Sequence, residues 1–415
     1  MTAPQSNRRN GFGFTLIELL VATSILLVIL GILLSMTSTA SRIWQFGAAR
    51  VSAFQSSRFA FETMTRAISS ATLNTYYDYY GTSTMSPGAA VFRTGSNSSN
   101  SYLFTPYSYG RRSELEFCCG TGLVTQTTTG TNIQQVTDAI FFQSPLNYTQ
   151  TADTATSGTS SYNSLEGLLN TIGFFVEFSD DSSRIPRYVS SQPRYRYRLM
   201  ELLEPTENFS VYSTAVNTTS NGIATLTNSW FTSPIANNPS TVRLLAENIV
   251  ACIICPRLSS DPATTGSFTS SLTTNYNYDS VLSNTAGILN YLGSSATVGT
   301  TGTTTPLVSA TSWVFNSQNQ LGTQPTNMNQ LPPVVRVVLV AADENSMLHL
   351  QGTKTTPPNL GFATTGPGAV FQSTADPTKF DTDLATVTSQ LTANHVNFRV
   401  FQTDVAVRGA KWSSQ

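Results

Sequence analysis

The sequence predicts an α+β protein. One long N-terminal helix, apolar along its first half and amphipathic along its second, is followed by a mostly antiparallel β-sheet head carrying long Ser/Thr-rich insertions. Three observations lead there. Residues 14–34 form a run of 21 residues with a single ionisable side chain, Glu18. No proline interrupts the chain between Pro4 and Pro87, and apolar residues keep a three- or four-residue spacing well past the apolar run. After residue 74 the pattern changes to short alternating or continuous apolar segments separated by hydroxyl-rich stretches.

A helix advances about 1.5 Å per residue, so a run of 21 residues spans roughly 30 Å, enough to cross the hydrocarbon core of a bilayer. Arg8 and Arg9 are the only charges before it. The positive-inside rule therefore places the N-terminus in the cytoplasm and the body of the chain across the inner membrane, as a single-pass anchor. A secretory signal peptide has a shorter apolar region and a small-residue cleavage site, to which Ser35-Met36-Thr37 is a poor match. The same length argument excludes a twin-arginine signal built on Arg8-Arg9. Beyond the run, Trp44, Ala48, Val51, Phe54, Phe61, Met64, Ile68 and Ala71 mark one face of a continuing helix. The spacing predicts a single helix over about 15–73, roughly 90 Å long. Its second half, 35–73, lies against the head.

The head, 74–415, is expected to contain six to eight strands, with apolar segments at 115–118, 139–142, 172–178, 195–203, 248–254, 334–341 and 396–407. In Arg194-Tyr-Arg-Tyr-Arg-Leu199 the arginines occupy one face and the apolar residues the other, as a period of two requires. Pro332 and Pro333 stand before Val334, where a strand can start without losing a ladder donor. Polar stretches at 81–101, 121–135, 147–164, 213–240, 259–329 and 352–380 read as insertions on one head. That at 259–329 is too long for a plain loop.

Composition narrows the classes further. Only 11% of residues are charged, against about 25% in an ordinary soluble domain, while 51 Ser and 61 Thr take their place. With a net charge of −1 there is no field to recruit nucleic acid. Three lysines and abundant hydroxyls suit a head working outside the cytoplasm. Two histidines, His349 and His395, leave little for acid–base or metal chemistry, and no nucleophile–His–acid set, HExxH or phosphate loop is visible. The chain therefore reads as a structural protein, not an enzyme, and no cofactor is implied.

Glu18 is the anomaly. A charged residue at the centre of a membrane helix costs about 2.5–3.5 kcal/mol on insertion scales, so it calls for a partner. Gly13 followed by Phe14, with Glu18 fifth from Phe14 in GFTLIELLVA, resembles the class III signal of type IV prepilins and type II secretion pseudopilins. The resemblance implies a leader, 1–13, cut by a membrane prepilin peptidase after Gly13. It also implies N-methylation of Phe14 and use of Glu18 in assembly. A cut after Gly11 would put Leu16 in fifth place and lose the carboxylate. In a growing filament, Glu18 of an incoming subunit pairs with the terminal amine of its neighbour, so each charge is neutralised only by assembly.

Within that superfamily, Leu331-Pro-Pro-Val-Val-Arg-Val-Val-Leu-Val-Ala-Ala-Asp-Glu344 resembles a strand of J-type minor pseudopilins and PilW-like minor pilins. Leu245-Ala-Glu-Asn-Ile-Val250 fits their pattern as well, and the combination is closest to the Verru_Chthon cassette protein C family. The long insertions, about 213–240 and 259–329, depart from the compact J-type head. The expected partners are the peptidase, other (pseudo)pilin subunits, the inner membrane and secreted cargo, with nucleic acid only for an uptake pilus. The expected product is a minor subunit of a type II secretion pseudopilus or type IV pilus-like filament, its head periplasmic or extracellular. The rival reading is an adhesive or substrate-binding pilin whose insertions recognise a surface or glycan, with Tyr76, Tyr77, Tyr79, Tyr80, Tyr276 and Tyr278 as stacking surfaces.

Four cysteines stand as Cys118-Cys119 and Cys252-x-x-Cys255. One or two disulfides, buried thiols and a zinc site all remain open from spacing. A bridge between the two pairs is favoured over one inside CxxC, and no βαβ context supports a redox enzyme. Asp376, Asp381 and Asp383, or Asp180-Asp181, are weak calcium candidates without EF-hand spacing.

Overall fold

The computed structural model describes residues 15–83, 86–92, 104–124, 138–149, 167–182, 188, 194–214, 217–218, 224–225, 229–257, 278–280, 329–352, 354–362, 370–371 and 377–411. The chain divides into two units, Met1–Ser52 and Ala53–Gln415. The first is the N-terminal part of helix α1 (Leu16–Ser69).

In the second unit the end of α1 buries Ala60, Met64, Ala67, Ile68 and Ala71, with Phe54 and Phe61 half-buried beside them. The stripe anticipated from spacing is thus used from Phe54 onward. Trp44, in the first unit, is 80% exposed. After α1, strands β1 (Tyr76–Ser83), β2 (Ser86–Phe92) and β3 (Phe104–Arg112) make an antiparallel sheet in the order β2-β1-β3. No strand was expected here, because Gly, Ser and Thr dilute the apolar alternation on which the expectation rested.

The main sheet has six antiparallel strands. They are β4 (Cys118–Gly120), β5 (Ala139–Pro145), β6 (Leu169–Ser179), β7 (Arg196–Glu204), β10 (Val242–Glu247) and β12 (Tyr278–Asp279), in the order β10-β7-β6-β5-β4-β12. Both faces are covered. Ile140, Phe142, Ile172, Phe174, Val176, Tyr197 and Leu199 share one core with the end of α1 and with residues 249–255 and 335–342. Phe141, Phe175, Met200 and Leu202 face a second core with Trp230, Phe231 and Ile235 of α3 (Ser229–Asn237) and Val211 of α2 (Ser210–Thr214). Covering both faces is why the strands read as continuous apolar runs rather than clean alternation. A two-stranded ribbon, β8 (Asn217–Thr218) with β9 (Ala224–Thr225), lies between α2 and α3 in sequence. The polar stretch 213–240 therefore carries α3, which supplies part of the second core.

Gly173 sits directly opposite Phe141, whose ring occupies the space a β-carbon would need: the nearest ring carbons would be 2.1 and 2.4 Å away. That ring stacks on Phe231 with centroids 4.0 Å apart and cannot swing aside freely. Gly173→Ala is expected to destabilise the fold by about 1–3 kcal/mol, read from chemical denaturation of the protein in detergent micelles. A loss below about 0.5 kcal/mol, the range of neutral surface changes, would show that the ring does relax.

A third sheet, β11 (Ile249–Arg257), β13 (Val334–Ala342) and β14 (Phe398–Ala406), runs in the order β11-β13-β14, all antiparallel. Helix α5 (Pro377–Ala393) contributes Phe380, Leu384, Val387 and Leu391 to the first core, and α4 (Glu344–Gln351) contributes Met347. The chain passes from one sheet to the other at Asn248, which has φ 58°. Its N–H donates to Tyr197 O and its carbonyl accepts from Ala342 N. Arg196 spans Glu247 and Glu344 beside this corner. The end of α1 is fixed twice: Thr72 N donates to Gln143 O of β5 at 2.9 Å, and Arg408 N donates to Ser69 O at 3.0 Å.

Candidate functional site

The sequence Thr15-Leu16-Ile17-Glu18 starts the helix. The Glu18 carboxylate accepts from both the backbone N–H and the hydroxyl of Thr15, each at 3.0 Å. In return Glu18 N–H donates to Thr15 Oγ1 at 3.3 Å. This reciprocal pair is a capping box, and it satisfies donors that the first helical turn cannot. Sequence reasoning assigned Glu18 to assembly alone. The T-x-x-E spacing of Thr15 and Glu18 announces this cap in the sequence. Gly13 and Phe14 lie outside the described residues.

After the cap comes a stretch, Leu16–Gln45, of mean hydropathy 2.8 with none of its most apolar window buried by the rest of the chain. Leu16, Leu20, Leu26, Leu27 and Leu34 each expose 60% or more of their surface. Such a helix is stable only where lipid or apolar protein surrounds it. Five of its hydroxyls are satisfied internally. Thr23 donates to Leu20 O, Ser24 to Val21 O, Thr37 to Leu33 O, and Ser38 and Thr39 to Ser35 O, all at 2.8–3.0 Å. The polar side chains therefore add little cost to burial in hydrocarbon. Glu18 is left as the single charge in the helix's apolar half.

Residues 8–34 match the family model of the prokaryotic N-terminal methylation motif. The chain carries a prepilin-type methylation motif. No curated protein and no solved structure matches the chain. The prepilin-type motif implies processing by a prepilin peptidase and assembly with other pilin subunits, and marks a structural, pilin-like protein. With one helix among the described residues long and apolar enough to cross a membrane, it also points to a single-pass anchor. The long N-terminal helix followed by antiparallel sheets agrees with a pilin-like α+β fold.

The cysteines are all buried. Cys119, Cys252 and Cys255 lie in the first core, whereas Cys118 is in the second, on the opposite face of β4. Cys119 is therefore the member of its pair on the side of Cys252 and Cys255. Burial pushes all four thiols upward, Cys255 to about 12, which disfavours the thiolate that a metal or a nucleophile requires. Of the calcium candidates, Asp376 is outside the described residues. Asp383 accepts from Phe371 N at 2.7 Å, while Asp381, two residues earlier on α5, is exposed, so the two do not converge. Asp180 accepts from Ser182 Oγ two residues on, and Asp181 accepts from Arg194 N at 2.7 Å, just before β7. Tyr278 is buried with its hydroxyl donating to Gln330 O at 2.8 Å and offers no stacking surface. Tyr276 lies outside the described residues.

Asp138 and Glu116 are among the buried carboxyls that sequence reasoning missed. Asp138 precedes β5 and ties it to β11: its N–H donates to Cys252 O at 3.0 Å and its Oδ2 accepts from Ile254 N at 2.8 Å. Burial pushes its carboxyl up to about 8 despite that bond. Glu116, just before β4, accepts from the indole N–H of Trp230 at 2.6 Å.

Proposed function

We propose that the chain is a minor pseudopilin or pilin, cut after Gly13, methylated on Phe14 and built into a type II secretion pseudopilus or type IV pilus-like filament. Its head then lies on the periplasmic or outer side of the inner membrane, and its neighbours are other subunits of the filament. The observation that carries this reading is a methylation motif leading into an uncovered apolar helix that holds one carboxylate. In this role Glu18 has two states. Before assembly it closes its own capping box; in the filament it faces the methylated amine of a neighbouring Phe14. The work is assembly and contact with partner subunits or cargo. The head strands resembling minor pseudopilins support a minor place in the filament.

Mass spectrometry of protein from cells with an active prepilin peptidase tests the reading directly. It should find an N-methylated Phe14 terminus. An intact Met1 terminus overturns the proposal. Gly13→Asp should block the cut by crowding and charging the residue before the scissile bond, retaining a leader of roughly 1.4 kDa.

A further inference from the structure

Three strands of the main sheet set a polar row across the face that carries the second core. Gln143 on β5 stands directly opposite Thr171 on β6, and Thr171 stands directly opposite Glu204 on β7. Opposed residues of an antiparallel pair share a face, with β-carbons about 4.5–5.5 Å apart. Gln143 and Thr171 are 0% exposed and Glu204 is 3% exposed. Gln143 Nε2 and Thr171 Oγ1 are both buried with no hydrogen-bond partner of normal geometry among the described residues, an arrangement that costs free energy and calls for a reason.

The groups on either side of this pair are held in place. Glu116 N–H donates to Gln143 Oε1 at 2.9 Å. That bond fixes which end of the amide is oxygen and draws electron density away from its carbon. On the far side of Thr171, Glu204 accepts from Ser210 N at 3.1 Å and from Ser210 Oγ. Burial raises the Glu204 carboxyl, while the Ser210 bonds and the approach of the Thr171 hydroxyl act the other way and favour the carboxylate. In the row, a hydroxyl stands between a carboxylate that can take its proton and an amide carbon that can take its oxygen.

We propose that Thr171 and Gln143 join through their side chains as an ester, an internal cross-link between β5 and β6. Thr171 Oγ1 attacks Gln143 Cδ and passes its proton to the Glu204 carboxylate, while the Glu116 N–H holds the oxyanion. The Cδ–Nε2 bond then breaks as Glu204 returns the proton to the leaving nitrogen, which departs as ammonia. One C–O bond replaces one C–N bond, and nothing is oxidised or reduced. Groups held face to face by a strand ladder react as if at very high concentration. The same burial excludes the water that would hydrolyse the product. Thr72 N donates to Gln143 O, so the cross-link sits at the residue where the end of α1 joins the sheet. The inference is independent of the filament reading.

Mass spectrometry of the full chain, purified in detergent micelles, reads the bond directly. Ester formation removes one ammonia, about 17 Da. After denaturation, a protease that cuts beyond Asp and Glu separates the two strands at Asp153 and Glu166. The strands should nevertheless stay joined as one branched peptide, lighter by that mass, and alkaline hydroxylamine should part them. Thr171→Val, close to Thr in shape, should give two separate peptides of full mass. Glu204→Gln should lower the branched share at least about tenfold. Separate full-mass peptides from the wild type, a branched peptide from Thr171→Val, or an undiminished branched share in a folded Glu204→Gln variant each overturn the proposal.

Discussion

Glu18→Ala is expected to leave leader removal essentially intact and to reduce incorporation into filaments by at least about tenfold, measured as the share of the chain in sheared filaments against membranes. Alanine removes two things at once. It abolishes the capping box with Thr15, which is worth about 0.5–2 kcal/mol of helix stability. It also leaves the methylated amine of a neighbouring subunit buried without a counter-charge, a loss of about 3–5 kcal/mol when one partner of a buried pair is removed. Glu18→Gln separates the two. Glutamine still accepts from Thr15 N and keeps the cap, because Gln serves at the third position of a capping box as well as Glu. It cannot neutralise an amine. If charge pairing drives assembly, Gln fails as Ala does. Full incorporation of the glutamine variant would assign Glu18 to capping and remove the charge-pairing account.

Asp138→Asn is expected to remove a large part of the pH dependence of head stability between about pH 4 and pH 8, leaving the part that other buried carboxyls such as Glu116 contribute. The carboxyl is buried and pushed up to about 8, from an ordinary value of 3.8. Below the ordinary value both folded and unfolded chains hold the proton, and burial is uncosted. Between the two values the unfolded chain releases the proton and the folded chain retains it, so the folded state binds more protons and loses stability as pH rises. Above about 8 the penalty is complete. About four units at about 1.4 kcal/mol each amount to a difference on the order of 5 kcal/mol. Asparagine keeps an acceptor for Ile254 N and carries no ionisable group. Denaturant unfolding at a series of pH values should show the wild-type curve sloping down and the variant sloping distinctly less, with the variant the more stable near pH 8. Parallel curves would mean that the carboxyl ionises freely in the folded state. The carboxyl also lines a cavity of about 20 Å³ with Ile253, Phe362, Phe371 and Val387, room for about one water.

Legibility in the sequence followed the strength of periodicity. The apolar run and the lone Glu18 are one-dimensional features, so the membrane helix and its motif could be read without tertiary information. The β5, β6, β11 and β13 strands were readable because each holds a continuous apolar run, and β7 because arginine alternates with tyrosine and leucine at its start. Helix α5 was not, although Phe380, Leu384, Val387 and Leu391 keep helical spacing. Its Thr, Ser and Asp content gives the run the look of a loop. Strands β1 to β3 escaped for the same reason. Glu116 and Asp138 could not be found because their meaning depends on partners far away: Trp230 is 114 residues from Glu116, and Ile254 is 116 from Asp138. A carboxylate in a list of residues looks solvated. Only the packing reveals that it is not.

The double attachment of the helix end bears on how the chain would withstand force in the proposed filament. In the proposed filament role, extension or retraction would pull on the chain through its helix. Here tension arriving at Ser69 and Thr72 enters the head along two branches, one through Gln143 into the six-stranded sheet and one through Arg408 into the segment that follows β14. Rupture of either branch leaves the other holding, so the helix cannot be peeled away from its head by breaking a single row of bonds.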